Sequence, residues 1–220
     1  MRKVRVEKKI LVANEEYAAR NRQFLVERKI PCLNVISSPG SGKTTILAKT
    51  IESLKGIVRV GVVEGDIQTD IDAQRIRKTG APAVQINTEG ACHLSAAQVS
   101  SAFHKLPVES LDLIFIENVG NLVCPSTLDL GETAKIAVLS VPEGDDKPAK
   151  YPAIFARAAA VLINKIDLLA ATDFDIEKVK ADILKLNKDV KIFPVSAKTD
   201  AGMQQWSQWL TELVQKTKIA

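Results

Sequence analysis

Residues 32–44 read CLNVISSPGSGKT, and this stretch decides the fold. Cys32 to Ile36 is an apolar run that suits a strand, Thr45 to Leu54 has helix-forming spacing, and Ser37 to Thr44 joins them. The join follows the pattern G-x-x-x-x-G-K-[ST], in which a glycine-rich turn aims backbone N–H groups and the positive end of a helix at phosphates. Pro39, Gly40, Ser41, Gly42, Lys43, Thr44 and Thr45 form the candidate phosphate-binding segment. Gly40 and Gly42 supply its turn, Lys43 reaches the β/γ-phosphates as a point charge, and the Thr44 hydroxyl suits Mg2+. One position departs from the pattern. Ser37 stands where the first glycine is usual, so a residue with a Cβ must make the corner from strand to loop.

Working outward, Ile46, Leu47, Thr50, Ile51 and Leu54 keep helical spacing up to Gly56, and Val58 to Glu64 is nearly continuous apolar sequence. Runs of that kind are strands buried on both faces of a parallel sheet. Further strands are expected at Pro82 to Ile86, Leu111 to Ile116, Ile136 to Val141, Val161 to Asn164 and Ile192 to Val195. Helices are expected at Asp70 to Lys78, Leu94 to Phe103 and Ile154 to Ala160, then around Ile176, Val179, Ile183 and Leu186, and finally around Met203, Trp206, Leu210 and Leu213. The alternation specifies an α/β fold, a doubly wound and mostly parallel sheet flanked by helices, with ligands at the carboxyl ends of the strands. Upstream, Val6 to Arg28 is charged but carries two seven-residue stripes, Ile10, Tyr17, Phe24 and Leu11, Ala18, Leu25, which make one helical face ended by Pro31. Residues 1–30 therefore read as an N-terminal helical arm, docked on the domain or gripping a partner, and residues 31–220 as the P-loop domain.

Composition narrows the function classes. A net charge of +4 spread over the chain and an aromatic content of 5% give neither the footprint nor the stacking platforms of a nucleic-acid binder. No stretch approaches the roughly 18 apolar residues of a membrane span, and Met1 to Lys9 is charged where a signal peptide needs an apolar segment, so a cytoplasmic location is expected. Three cysteines argue against a disulfide framework and leave metal binding or plain burial.

Asn164-Lys165-Ile166-Asp167 follows a strand and precedes a turn. The Asp167 carboxylate can accept from both N1–H and the N2 amino group of guanine, a pair adenine lacks. Asn164 ties the base to the loop, the Lys165 stem covers its face, and in Ser196-Ala197-Lys198 the Ala197 N–H can reach guanine O6. Glu117 opens ENVG where GTPases commonly carry DxxG; it can hold a water of Mg2+, and the Gly120 N–H can sense a γ-phosphate. Asn121 stands where some GTPases place a water-orienting glutamine, which points to slow intrinsic hydrolysis. Asp66, Asp70 and Asp72 are candidates to orient water or complete the Mg2+ shell, with a helix cap as the plainer role for Asp70.

Cys92-His93 follows the flexible 88–90 segment, and Cys124-Pro125 follows ENVG closely. Thiolate and imidazole suit Zn2+ and Ni2+, and a two-fold dimer axis near them would assemble two sets into a closed site. A buried cysteine pair with an incidental histidine is the structural alternative. Cys32 and His104 are assigned ordinary packing roles.

SSPGSGKTT, EGDIQTDIDA, ACHL, ENVGNLVCP, EGDDKPAKYP, NKIDL and SAKTDAG together resemble the HypB family of hydrogenase nickel-incorporation GTPases, in the SIMIBI group, from about Cys32 to the C-terminus. The resemblance implies a GTP-dependent homodimer that holds Ni2+ or Zn2+ at its interface, delivers nickel for the large subunit of [NiFe]-hydrogenase and works with the metallochaperone HypA. It assigns Cys92, His93 and Cys124 to metal, Lys43, Thr44, Asp72 and Glu117 to phosphates and Mg2+, and Asn164, Asp167 and Ala197 to guanine. It gives Lys150 a contact across the dimer to the partner's γ-phosphate, with Lys147 as competitor. The histidine- or cysteine-rich N-terminal nickel stores of some members are missing from these residues. Three other readings are weaker. A urease-accessory relative would carry Cys-Pro-His, a nucleotide kinase would need an arginine-rich lid, and a GTP-gated scaffold would bind without turnover.

Overall fold

The computed structural model describes residues 3–66 and 71–219, with residues 3–10 described by their backbone alone. The chain runs α1 (Lys3–Glu27), β1 (Cys32–Ser37), α2 (Lys43–Ser53), β2 (Val60–Asp66), α3 (Ile71–Arg77), β3 (Ala83–Asn87), α4 (Ala96–Phe103) and β4 (Leu113–Glu117). It continues through α5 (Cys124–Thr127), β5 (Ala134–Ser140), α6 (Lys147–Lys150), α7 (Pro152–Arg157), β6 (Ala158–Asn164), α8 (Ile176–Leu186), β7 (Lys191–Pro194) and α9 (Met203–Ile219). The expected Asp70 lies outside the described residues.

The strands form a seven-stranded sheet in the order β3-β2-β4-β1-β5-β6-β7, and every pairing is parallel. After β1 the chain fills one side of the sheet and then the other. The crevice of such a switch point lies beyond the carboxyl end of β1, where the phosphate loop begins. β1 and β4 are buried along their whole length, and apart from Asn34, Ser37 and Glu117 they are apolar. On one face Leu33, Val35, Val62 and Phe115 pack under α2 and α9. Trp206 of α9 is 1% exposed and donates its indole N–H to Thr50 Oγ1 of α2 at 2.9 Å, so its one polar atom is satisfied in the core. On the other face α1 and α4 cover Cys32, Val63, Ile114 and Ile116, while α7 and α8 cover Ile36, Ala137, Leu139, Val161 and Ile163. Among the described residues no helix is long and apolar enough to cross a membrane.

Two expectations are corrected. Ala158–Ala160 belong to β6, not to the preceding helix. Alanine favours helix locally, but pairing between β5 and β7 and complete burial at Ala160 override that preference. Among the described side chains of α1 the buried ones are Asn14, Ala18, Asn21 and Leu25, whereas Leu11 and Tyr17 are 53% and 39% exposed. Of the two predicted stripes only Ala18 and Leu25 are buried, with Phe24 partly so; the Ile10 side chain lies outside the described residues. Two asparagines replace apolar residues because backbone groups of the domain meet them, as described below.

Asp112 fastens the end of the sheet opposite the phosphate loop. It is 5% exposed and accepts from the Arg59 guanidinium and backbone N–H, each at 2.9 Å, and from Lys218 at 2.6 Å. The Arg59 hydrogen bonds, joined by Lys218 and opposed by desolvation, hold its carboxyl well below the usual carboxylate range. A depressed folded-state pKa contributes stability above the unfolded value of about 3.9 that is lost as pH falls below it. Asp112→Asn is expected to lower stability at pH 7 by about 1–3 kcal/mol and to flatten the loss of stability below about pH 5; urea melts of both proteins across that pH range check this.

Candidate nucleotide and metal sites

Gly42 is the hinge of the phosphate loop. Its φ of +93° opens α2, and a Cβ there would lie 2.5 Å from the Asn164 Nδ2, so only glycine fits. No side chain caps the first turn of α2, which leaves its N–H groups directed at the loop cavity. The loop is braced from two sides: Asn164 Nδ2 donates to the Ser41 carbonyl at 2.8 Å, and Ser41 Oγ donates to Glu143 at 2.7 Å. Ser37 now has a physical account. It is fully buried as the last residue of β1, outside the left-handed region, and its hydroxyl donates to Ser38 O at 2.6 Å while accepting from Lys43 Nζ at 2.9 Å. A serine at this corner costs no strain and gives the lysine an oxygen partner.

The cavity of about 510 Å³ above the loop is lined by the candidates Pro39, Gly40, Gly42, Lys43, Thr44, Thr45, Asp66, Asp72, Glu117, Gly120 and Lys165, and also by Glu64, Gly65, Arg75, Asn118 and Val119, which the sequence does not single out. Glu64, two residues before the end of β2, is the register neighbour of Glu117, the last residue of β4. Carboxylate oxygens of Glu64, Asp72 and Glu117 lie within 4.8 Å of one another. Thr44 Oγ1 donates to Glu117 Oε1 at 2.8 Å, but the Oε2 atoms of Glu64 and Glu117 are buried without a hydrogen-bond partner. Burial first, then the Glu117 charge, pushes Glu64 up to about 11, and burial also raises Glu117. Buried acids with orphaned oxygens beside a threonine hydroxyl are the oxygen-rich donor set that fits Mg2+. In the sequence Glu64 reads only as the end of an apolar run; its register with Glu117 on the neighbouring strand is what brings it to the site.

A second cavity, of about 370 Å³, adjoins the first and is lined by Gly42, Thr45, Asn164, Lys165, Asp167, Leu168, Ser196, Ala197 and Lys198. Ser196 Oγ donates to Asp167 Oδ1 at 2.6 Å and so fixes the carboxylate, while the Ala197 N–H faces Asn164 Oδ1 at 3.3 Å. Lys165, in the left-handed region at φ 62°, reaches across to the Gly40 carbonyl at 2.8 Å and lines both cavities. Lys150 is not brought into either cavity; it is exposed on α6 and paired with Asp146, and Lys147 lies 5.5 Å from the Tyr151 ring.

Cys92, His93 and Cys124 converge, with ligand atoms within 4.8 Å of one another. Cys92 Sγ is 3.4 Å from His93 Nδ1, and the hydrogen bond with Cys124, aided by desolvation, raises the Cys92 thiol. Cys92 is exposed and Cys124 half-buried, so the pair is not core packing. By contrast Cys32 is fully buried and its thiol is raised by that burial, and His104 ends α4 with its ring edge on Phe24. The ENVGN segment is stitched to the Cys-His loop: Leu94 N–H donates to Asn118 Oδ1 at 3.2 Å, and Asn121 Nδ2 donates to the Cys92 carbonyl at 3.2 Å. Asn121 also accepts from Val123 N–H at 2.8 Å, so its carboxamide is engaged with the cysteine segments.

The CobW/HypB/UreG nucleotide-binding domain matches residues 31–194. The hydrogenase maturation factor HypB of Escherichia coli (strain K12) is 50% identical over 209 residues, 95% of this chain and 72% of that protein. The structure of Helicobacter pylori HypB in complex with nickel superposes with a TM-score of 0.88 at 42% identity, over 93% of this chain and 96% of that one. The HypB structure from Archaeoglobus fulgidus gives 0.87 at 38% identity, over 93% and 100% of the two chains. A fold, a phosphate loop and a sequence shared at this level over nearly the whole length mean that the chain belongs to the CobW/HypB/UreG family, as one of its HypB hydrogenase maturation factors.

Proposed function

We propose that this protein is a GTP-binding and GTP-hydrolysing metallochaperone that delivers nickel during maturation of [NiFe]-hydrogenase. The observation that carries the reading is the convergence of Cys92, His93 and Cys124 on one side of the segment whose other end, Glu117 to Gly120, lines the phosphate cavity. In this reading residues 31–220 are the GTPase domain and residues 1–30 its helical arm. Lys43 and the N-terminus of α2 hold the phosphates, while Asp167, fixed by Ser196, selects guanine. Thr44, Asp72 and Glu117, joined by Glu64, would hold Mg2+, which when bound neutralises phosphate charge. Asp66 and Asp72 stand as candidates to orient the attacking water, and Asp66 lines the cavity beside them.

The single-chain set offers three soft ligands, one fewer than a closed four-coordinate site needs. That shortfall supports a Ni2+ or Zn2+ site completed by a second copy in a GTP-dependent homodimer, with Lys150 reaching the partner's γ-phosphate. Exposure of Lys150, away from its own phosphate cavity, is compatible with that role. The Asn121 and Asn118 bonds give the nucleotide a route to the metal: rearrangement of ENVGN around the γ-phosphate pulls on the Cys92 carbonyl and on Leu94. HypA and the hydrogenase maturation machinery are the partners that follow from this reading, in the cytoplasm.

Asp167→Asn presents an amide N–H or a single carbonyl where guanine needs two acceptors, so GDP affinity is expected to fall about 100-fold or more; equilibrium dialysis against GDP and xanthosine diphosphate measures the loss and the change of preference. Glu64→Gln imitates the protonated acid. It should keep or raise the thermal midpoint of the nucleotide-free protein at pH 8, because an acid with a raised folded-state pKa costs stability above its unfolded pKa of about 4.3. The same variant should lose most of the tightening of GDP by Mg2+, read by fluorescence titration with and without the ion. Cys92→Ala and Cys124→Ala should each lose Ni2+ while binding GDP as the parent does; equal nickel stoichiometry in the variants would sink the metal assignment.

A further inference from the structure

The buried stripe of α1 carries two asparagines seven residues apart, Asn14 and Asn21, 9% and 2% exposed. An apolar residue at either place would dock a helix well enough. A buried carboxamide is tolerated only when its hydrogen bonds are made, and it then fixes position and register. Each asparagine here spans the same two segments. Asn14 Oδ1 accepts from the Ala96 N–H at 2.8 Å, and its Nδ2 donates to the Asp129 carbonyl at 2.7 Å. Asn21 Nδ2 donates to the Ala96 carbonyl and to the Leu130 carbonyl, both at 2.9 Å. Arg22 adds a pair to the Asp129 carboxylate at 2.7 and 2.8 Å. Gly131, at φ +87°, lets the second segment lie on the helix backbone, for a Cβ there would sit 2.5 Å from the Ala18 carbonyl.

The two segments joined in this way are the two that carry the soft ligands. Ala96 opens α4 directly after the loop of Cys92 and His93, and Asp129 and Leu130 directly follow α5, whose first residue is Cys124. All the partners are backbone atoms or the base of a loop, so the bonds set where the chain runs. We propose that α1 is a clamp that sets the distance between the Cys92-His93 loop and Cys124, and that Asn14 and Asn21 are positioning residues for the metal site. The inference rests on the metal reading given above. Metal–ligand bonds of about 2.0–2.3 Å tolerate errors of only about 0.2 Å, so a slip of either segment on α1 is felt at the ligands.

The test uses the full chain, with Ni2+ alone as probe. Asn21→Leu keeps the number of side-chain heavy atoms and the branching at Cγ and removes both donations. It is expected to weaken Ni2+ binding by about 10- to 100-fold, the range for lost outer-shell support, and to shift the thiolate-to-nickel charge-transfer absorption at saturation while leaving GDP affinity within about twofold. Loss of packing alone would lower the thermal midpoint without changing that spectrum. Asn14→Ala is the second variant should Asn21→Leu not fold: it removes the bonds to Ala96 and Asp129 without burying a charge, and a loss in the same direction is expected. If the parent chain binds Ni2+ through Cys92 and Cys124 but folded asparagine variants match it in affinity and spectrum, the clamp is wrong and the metal reading survives. If the parent chain binds no Ni2+, the metal reading fails and the clamp with it.

Discussion

A phosphate-binding loop works only if its backbone amides stay aimed, and the whole carboxyl edge of this sheet is arranged around holding one loop still. Asn164 from β6 holds the Ser41 carbonyl, Glu143 beyond β5 takes the Ser41 hydroxyl, and Gly120 beyond β4 lies against Pro39 so closely that a Cβ would come within 2.9 Å. These three supports come from three different strands. The cavity between Asn164 and Lys198, the acidic cluster and the ENVGN segment are therefore all referenced to the same few backbone atoms. A loop with the right sequence but without them would be one flexible glycine-rich turn among many.

The acidic cluster shows what this rigidity costs. Glu64 and Glu117 are register neighbours toward the carboxyl edge of the sheet, each with an oxygen that finds no donor. Nothing about folding alone favours such a pair, since burial and mutual repulsion both work against their charges. The same arrangement makes sense as preorganisation: fixed oxygens that need no rearrangement when a divalent cation and phosphates arrive. Lys43, resting on Ser37, is the positive charge that makes the cluster bearable and is poised to turn toward phosphate.

The soft-ligand trio stands one segment further out. Its two halves are held from opposite directions, by Asn118 and Asn121 on the nucleotide side and by Asn14 and Asn21 on the side of α1. Four asparagine side chains, each bonded to main-chain atoms of another segment or of its neighbour in sequence, give a geometry that apolar packing does not specify, because packing tolerates sliding and a carboxamide held by two hydrogen bonds does not. The proposed coupling between nucleotide and metal uses the first pair as its moving part and the second as its fixed reference.

Much of this was legible in the sequence. CLNVISSPGSGKT, NKID and SAK are local patterns in which neighbouring residues make the chemistry, and a parallel sheet follows from apolar runs separated by helical ones. The order of the elements could be read in the same way, and so could Cys92, His93 and Cys124 as a candidate set of soft ligands, which the fold brings together. Four things required the folded chain. Glu64 became a site residue only when β2 and β4 came into register, Ala158–Ala160 became strand only between β5 and β7, Ser37 acquired a role from Lys43, and Asn14 and Asn21 gained partners more than seventy positions away. The physical reason is common to all. Sequence fixes what a residue can donate, accept or bury, and local spacing fixes its nearest neighbours, but a buried acid or amide takes its meaning from partners that only tertiary packing delivers.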